Sequence, residues 1–162
     1  MKDFLLTIAQ TNTVVGDISG NLDKIIQIIK AEEKNKVQLV VFPELSLVGY
    51  PPEDLVLRPS FIDEAQKAIK VLIDFSKKIN CSFIIGSPVR YKKGIANAAV
   101  VIGKGEVKYF YKIDLPNYGV FDEKRIFIPG EIYSYIKIKE IKVGILICED
   151  MWTDSLSKHF SK

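Results

Sequence analysis

The sequence VGILICEDMW, which runs from Val143 to Trp152, decides how the chain is interpreted. It begins as an apolar run of strand length and ends abruptly on a cysteine followed by two acids. A cysteine in mid-strand would be a small core residue, whereas one at the carboxyl end of a strand lies where open α/β sheets place their ligand sites. Taken alone, Cys148 fits a buried structural thiol as well as a nucleophile.

Length and composition are those of one domain with scattered charge. The chain has 162 residues, 48% of them hydrophobic, and its net charge is only +3. It lacks the basic clusters of nucleic-acid-binding proteins, and its apolar runs are shorter than the ~18 residues of a membrane span. We therefore expect a cytoplasmic protein with no nucleic-acid or membrane partner, in which Cys81 and Cys148 are free thiols.

Apolar runs of strand length recur along the whole chain. Glycines between neighbouring runs, such as Gly103 and Gly105, favour hairpins. The predicted strands and hairpins cover residues 4–9, 39–42, 83–86, 97–102 with 106–111, and 133–138 with 141–147.

Helical periodicity separates several of these strands. Apolar residues at the 3.6-residue spacing predict one helix from Leu22 to Ile29, after N-cap candidates at 19–21, and a second that begins at Pro59. Segments 45–58 and 113–130 have no period and are predicted to be ordered loops. Strands that alternate with covering helices and hairpins indicate an α/β sandwich.

Three reactive side chains follow predicted strands, namely Glu44, Lys112 and Cys148. A thiol with an ordinary pKa near 8.5 is mostly protonated at neutral pH, so attack on a carboxamide needs an adjacent base or cation. A glutamate and a lysine supply these two functions. If Lys112 lies near Cys148, its charge is expected to favour the thiolate, whereas Cys81 should be an inert structural thiol.

With their flanking residues, these side chains resemble the Glu-Lys-Cys triad of the nitrilase (carbon-nitrogen hydrolase) superfamily. The flanks FPELSLVGYPPEDL (42–55), YKIDLPNYGVFDEKR (111–125) and ICEDMW (147–152) are similar to the glutaminase domain of glutamine-dependent NAD synthetases. The resemblance covers essentially the whole chain and implies an α/β fold with a nitrilase-like α-β-β-α sandwich. In that family the domain runs on for roughly a hundred further residues, a length consistent with ordinary domain sizes, and a synthetase domain follows.

The resemblance implies a role for each residue of the motifs. Glu44 is the general base, Cys148 the nucleophile, Lys112 the cation that holds the oxyanion, and Glu123 an accessory acid that orients Lys112. The substrate-binding positions implied in the same way are Tyr50, Tyr118, Phe121, Glu149 and Trp152.

The same resemblance implies hydrolysis of glutamine through a cysteine thioester, which supplies ammonia for NAD synthesis. No cofactor or metal is expected for this part, since the only histidine, His159, has no partner ligands; ATP and Mg²⁺ would belong to a synthetase domain absent from this chain. The expected partners are glutamine, a synthetase domain or complementing C-terminal segment, and a second copy of the chain.

Residues 1–162 are expected to be a partial amidohydrolase domain, truncated at the C-terminal side inside a helix predicted over 153–162. Poor turnover of glutamine by residues 1–162 is therefore expected. Two alternatives stay open, a stand-alone amidase of the nitrilase superfamily and an inactive remnant or interaction module.

Overall fold

The computed structural model describes residues 4–152, which form two β-sheets. The strands of the larger sheet lie side by side in the order of the sequence; they are β1 Leu6–Ile8, β2 Leu39–Val41, β3 Ser82–Tyr91, β4 Gly94–Gly103 and β5 Glu106–Tyr111. The first three strands are parallel, and β4 and β5 continue the sheet antiparallel. The smaller sheet is the antiparallel pair β6 (Ser134–Ile138) and β7 (Ile141–Ile145).

Two long helices and several short ones connect the strands in this part of the chain. They are α1 (Ile18–Lys34), α2 (Pro59–Ser76), the single turn α3 (Glu123–Ile126) and 3-10 helices at Glu53–Leu57 and Cys148–Met151. Within residues 4–152, no helix is both long and apolar enough to span a membrane. The helix predicted over 153–162, with His159, lies outside the described residues.

The two faces of the larger sheet pack against different layers, because successive side chains of a strand point to opposite faces. On one face, Val40 and Phe83 are fully buried in a core that includes α1 and α2. On the other face, Ile84 packs with Ile136 of β6 and Ile145 of β7. The described residues therefore supply three layers of the predicted α-β-β-α order, and the predicted α/β sandwich is confirmed.

The hairpin of β3 and β4 is longer than the sequence indicates. Strand is predicted only over 83–86, whereas β3 continues to Tyr91 and includes Pro88, which has no N–H to donate. In the structure Pro88 faces Asn97 of β4, whose carbonyl accepts a hydrogen bond from the Lys112 N–H on its other side. In an antiparallel strand the N–H and C=O of one residue point to the same side, so the backbone groups of Asn97 both point to β5 and away from β3. Pro88 and Asn97 are therefore a non-hydrogen-bonded pair, and the proline removes no hydrogen bond between β3 and β4.

Two other predicted boundaries differ from the structure. Helix α1 begins directly after Asp17, whose carboxylate accepts the Gly20 N–H, rather than after the N-cap candidates at 19–21. Strand β7 ends at Ile145, so Cys148 begins a 3-10 helix instead of ending a strand. Each of the two predicted loops contains one short helix.

The turn that carries Glu44 rests directly on Gly86 of β3. The Leu47 N–H donates to the Gly86 carbonyl, and the Gly86 N–H donates to Ser46 Oγ. A Cβ atom at Gly86 would lie 2.0 Å from the backbone nitrogen of Leu45. Only glycine therefore lets the chain after β2 approach β3 closely enough to hold Glu44 at this edge of the sheet.

Replacing Gly86 by alanine is expected to destabilise the fold and displace the Glu44 turn. The added methyl group meets backbone rather than a flexible side chain, so the expected loss is at least ~2 to 3 kcal/mol of unfolding free energy, measured by chemical denaturation. The matched control is Gly119→Ala, where a Cβ has no neighbour within 4 Å and only the positive φ of 59° is strained, at a cost of about 1 kcal/mol. Equal losses for the two variants would contradict the proposed close contact.

Candidate active site

The candidate site centres on the ammonium group of Lys112, which is fully buried. Lys112 Nζ lies 2.7 Å from Glu44 Oε1 and 2.9 Å from Glu123 Oε1. Glu44 comes just after β2, Lys112 directly after β5, and Glu123 is the first residue of α3. Three separate stretches of the chain therefore meet at one ammonium group, which joins two of the predicted triad residues to the predicted accessory acid.

The backbone of Lys112 is held on both sides. Its N–H donates to the Asn97 carbonyl of β4, and its carbonyl accepts the Gly130 N–H, each at 2.8 Å. A Cβ atom at Gly130 would lie 2.6 Å from the carbonyl oxygen of Tyr111, so this approach also depends on a glycine. The side chain thus points to the carboxylates from a fixed backbone.

Burial and neighbouring charge act in opposite directions on these groups. Burial by itself would lower the pKa of Lys112, but the charges and hydrogen bonds of Glu44 and Glu123 outweigh it, and the pKa of Lys112 is raised. Burial raises the pKa of Glu123, and Lys112 opposes this effect. Glu123 Oε1 also accepts a long hydrogen bond of 3.4 Å from the Tyr50 hydroxyl. The lysine therefore stays charged between the two acids.

Cys148 stands at the start of the 3-10 helix that follows β7, and its side chain is accessible. Its φ of 48° lies in the left-handed region, which non-glycine residues seldom adopt. Such strained backbone is concentrated at functional sites, where the surrounding structure holds it in place. The conformation is similar in kind to the sharp turns that expose nucleophiles in some enzymes.

Burial and neighbouring charges act in opposite directions on the Cys148 thiol. The pKa of Cys148 is raised, chiefly by partial burial and then by the Glu44 carboxylate, while Lys112 acts in the opposite direction. Glu44 and Glu123 together outnumber the single ammonium group, so their charge disfavours a thiolate. Lys112 favours the thiolate, as the sequence predicts, but burial and the Glu44 carboxylate outweigh it, so the pKa of Cys148 is raised overall.

Asp150 is a structural part of the site that the sequence reasoning missed. Its side chain is 2% exposed, and Oδ1 accepts the N–H groups of Ile113 and Asp114 while Oδ2 accepts the N–H of Ile147. Burial raises its pKa, and these backbone donors oppose that effect. Asp150 thus ties the turn of Cys148 to the segment that follows Lys112. The signal in the sequence was a second acid directly after Cys148-Glu149.

The predicted substrate-binding residues form a rim beside the triad. The Tyr118 hydroxyl donates to Glu149 Oε2 at 2.9 Å, and the Tyr118 ring packs edge to face against Phe121. Tyr50 reaches Glu123, as described above, and Trp152 follows the 3-10 helix with 78% of its surface exposed. Tyr118 therefore contacts both Phe121 and Glu149, and Tyr50 contacts the buried acid Glu123. Trp152 lies just after the 3-10 helix that begins at Cys148.

A cavity of about 200 Å³ lies between the two sheets next to the triad. Apolar residues of β2, β3, β4 and β7 line most of it, and its polar lining includes Glu44, Asn97 and Cys148. Within residues 4–152, no group of three or more histidine, cysteine, aspartate or glutamate side chains is arranged to hold a metal ion. The side chains that meet beside this cavity are a thiol, a carboxylate and, next to them, an ammonium group.

Cys148 is expected to react with iodoacetamide faster than Cys81. Cys81 is 1% exposed, and burial together with Glu33 raises its pKa to about 12. Because the pKa of Cys148 is also raised, the midpoint of its alkylation rate profile should lie above the value near 8.5 of an ordinary thiol. Mass-spectrometric site mapping between pH 7 and 10 measures both rates, with Cys148→Ser as the control that isolates Cys81. Faster labelling of Cys81, or a plateau at pH 8, would contradict this prediction.

Removal of the Asp150 carboxylate is expected to loosen the turn of Cys148. Asp150→Ala leaves three backbone N–H groups without their acceptor, which should lower the unfolding free energy by at least ~2 kcal/mol. Asp150→Asn keeps one acceptor oxygen and should lose less. The control is Asp74→Ala, which removes an exposed acid paired with Lys77 on the surface of α2, and a much smaller change in unfolding free energy is expected there. Similar losses at both aspartates would refute the structural role of Asp150.

The sequence matches one family model and several known proteins. The family model for carbon-nitrogen hydrolases matches residues 5–161. The glutamine-dependent NAD(+) synthetase of Thermotoga maritima is 45% identical over 153 residues, which cover 94% of this chain and 26% of that protein. The enzyme of the same name from Acinetobacter baylyi is 37% identical over 164 residues, covering 100% and 30%. The chain thus spans about three tenths or less of the length of these relatives.

Solved structures agree with the sequence comparison. A glutamine-dependent NAD+ synthetase from Acinetobacter baumannii superposes with a TM-score of 0.91 at 37% identity, over 98% of this chain and 30% of that one. An amidase from Nesterenkonia sp. has the same fold, with a TM-score of 0.84 at 22% identity over 96% of this chain and 59% of that one. The resemblance that the three motifs indicated is confirmed, and the chain belongs to the carbon-nitrogen hydrolase family.

Proposed function

We propose that this chain hydrolyses the side-chain amide of glutamine and releases ammonia for NAD synthesis. The observation that carries the proposal is the buried Lys112, which lies between Glu44 and Glu123, together with the Cys148 thiol beside Glu44. The similarity to glutamine-dependent NAD synthetases over nearly the whole chain supports glutamine as the substrate.

The first half of the proposed reaction forms a thioester. Glu44 takes the proton of Cys148 as the sulfur attacks the amide carbon, and Lys112 with the Glu149 backbone N–H stabilises the oxyanion. Glu44 then gives the proton to the amide nitrogen, the carbon-nitrogen bond breaks, and ammonia leaves. Because burial and the Glu44 carboxylate raise the pKa of Cys148, the thiolate is formed only as the attack proceeds.

The second half regenerates the thiol. Glu44 takes a proton from water, the resulting hydroxide attacks the thioester carbon, and the sulfur leaves with that proton while glutamate is released. Lys112 stabilises the oxyanion again, and Glu123 keeps Lys112 charged and in position through the 2.9 Å contact. The same carboxylate therefore acts alternately as base and acid.

The rim residues are proposed to bind the amino acid. Tyr118, Glu149 and Phe121 form one linked cluster, and Tyr50 approaches from the opposite loop. A carboxylate such as Glu149 suits the ammonium group of glutamine, and Trp152 would cover the substrate from the outer side. This assignment rests on their position and on the family motifs.

The proposed reaction needs only protein side chains and water. ATP and Mg²⁺ would act in a separate synthetase domain, which together with a complementing C-terminal segment is the proposed partner. Self-association and a cytoplasmic location are part of the same proposal.

Ammonia release from glutamine, compared between variants of the purified protein, tests this function. Cys148→Ala and Glu44→Gln should each abolish turnover, whereas Lys112→Ala should lower it by roughly 10² to 10³, the scale of losing one oxyanion donor. Cys81→Ser is the matched control and should leave turnover unchanged, because Cys81 lies in the core beside Glu33.

The choice of substrate separates the alternatives in the same assay. Faster hydrolysis of simple aliphatic amides than of glutamine would favour a stand-alone amidase. An active Glu44→Gln variant would remove the carboxylate from the mechanism. If the protein releases no ammonia from any amide, even with a synthetase partner added, the inactive interaction module is the better description.

A further inference from the structure

Asn97 contacts the catalytic cluster although no motif of the sequence indicates it. It lies on β4 and is 1% exposed, and its Nδ2 group donates to Glu44 Oε1 at 2.7 Å. Its backbone carbonyl accepts the Lys112 N–H. One residue therefore holds the backbone of the lysine and the side chain of the glutamate at the same time.

Two hydrogen-bond donors contact Glu44 Oε1, and this makes the two oxygens of the carboxylate different. Lys112 Nζ and Asn97 Nδ2 each lie 2.7 Å from Oε1. A carboxylate oxygen offers about two lone-pair sites, so Oε1 is saturated by these two donors. Only Oε2 is left to exchange a proton with the thiol of Cys148.

The orientation of the Asn97 amide is fixed by the same contact. Turning the amide over would place Oδ1 against Glu44 Oε1, two acceptors in contact. In the observed orientation Oδ1 is buried without a hydrogen-bond partner among the described residues. A buried polar atom without a partner costs free energy, which a purely structural asparagine at this site would avoid.

We propose that Asn97 is a positioning residue that locks Glu44 through Oε1 and so makes Oε2 the oxygen that exchanges the proton of Cys148. This inference rests on the proposed function for its catalytic meaning. The groups that face Glu44 are Lys112 after β5, Glu123 of α3, the Tyr50 hydroxyl and the Cys148 thiol, together with Asn97 itself. Among them, only Asn97 is an uncharged side chain that does not titrate.

Alkylation of Cys148 by iodoacetamide as a function of pH tests the contact without requiring turnover. Asn97→Asp keeps the shape of the side chain and adds a carboxylate beside Glu44. We expect the midpoint of the Cys148 rate profile to move up by at least about one pH unit, which is roughly tenfold slower labelling below the midpoint.

Asn21→Asp is the matched control. Asn21 is also fully buried, but it binds the backbone of Val14 and Leu47 and touches none of the catalytic groups. This variant is expected to lose stability while the Cys148 profile stays within about 0.3 pH units of the unmodified protein. A profile of Asn97→Asp that coincides with the unmodified one, or an equal shift in Asn21→Asp, overturns the inference.

A double-mutant cycle shows whether Asn97 acts through Glu44. Asn97→Ala should change the Cys148 alkylation profile and, where the protein hydrolyses glutamine, lower kcat by roughly 10- to 100-fold with little change in KM. In a Glu44→Gln background, Asn97→Ala should have no further effect on alkylation, because the base it positions is gone. Additive effects on alkylation would refute the positioning role.

The alkylation profile and the measurement of glutamine hydrolysis test this inference and the proposed function separately. If the alkylation profile shifts as expected but no glutamine is hydrolysed, the positioning of Glu44 by Asn97 stands and the glutaminase proposal fails. If glutamine is hydrolysed but Asn97→Asp and Asn97→Ala leave the alkylation profile and kcat unchanged, the proposed function stands and the role of Asn97 is refuted.

Discussion

The buried ammonium group of Lys112 is the constraint on which the rest of the site depends. A fully buried charge without partners would be very unfavourable, and here two carboxylates at 2.7 and 2.9 Å compensate it. Removing one partner of such a cluster typically costs about 3 to 5 kcal/mol, because the remaining charge is left unpaired in the interior. Glu44, Lys112 and Glu123 are therefore coupled in folding as well as in chemistry.

The fold meets this constraint by bringing chain segments close together at one edge of the sheet. The absence of a Cβ at Gly86 lets the turn that carries Glu44 pack closely against β3. The absence of a Cβ at Gly130 likewise lets its backbone approach Tyr111, the residue before Lys112. Asp150 then fastens the turn of Cys148 to the same region through three backbone donors. Strain in the left-handed Cys148 is held by these bonds, so the thiol is presented at a fixed place beside its base.

The carboxylates of Glu44 and Glu123 outnumber the ammonium group of Lys112, and this local negative charge disfavours ionisation of the Cys148 thiol. Because burial and the two acids around one lysine raise the pKa of Cys148, the proposed mechanism couples proton transfer to Glu44 with the attack of the sulfur. A resting thiol of this kind is also less prone to unwanted alkylation or oxidation than a thiolate. Asn97 adds a neutral donor to the same carboxylate, which directs proton exchange to one oxygen without changing the charge of the cluster.

The sequence by itself indicated the α/β class, the two covering helices and the three reactive residues that follow strands, because hydrophobic periodicity and local motifs involve neighbouring residues. It did not reveal the length of the β3–β4 hairpin, since whether Pro88 interrupts a strand depends on which of its neighbours are hydrogen-bonded. Asn97 and Asp150 were missed, and so was the larger effect of burial and Glu44 on Cys148, for one physical reason. Hydrogen bonding, burial and net local charge are set by segments far apart in the chain, and only the tertiary structure brings those segments into contact.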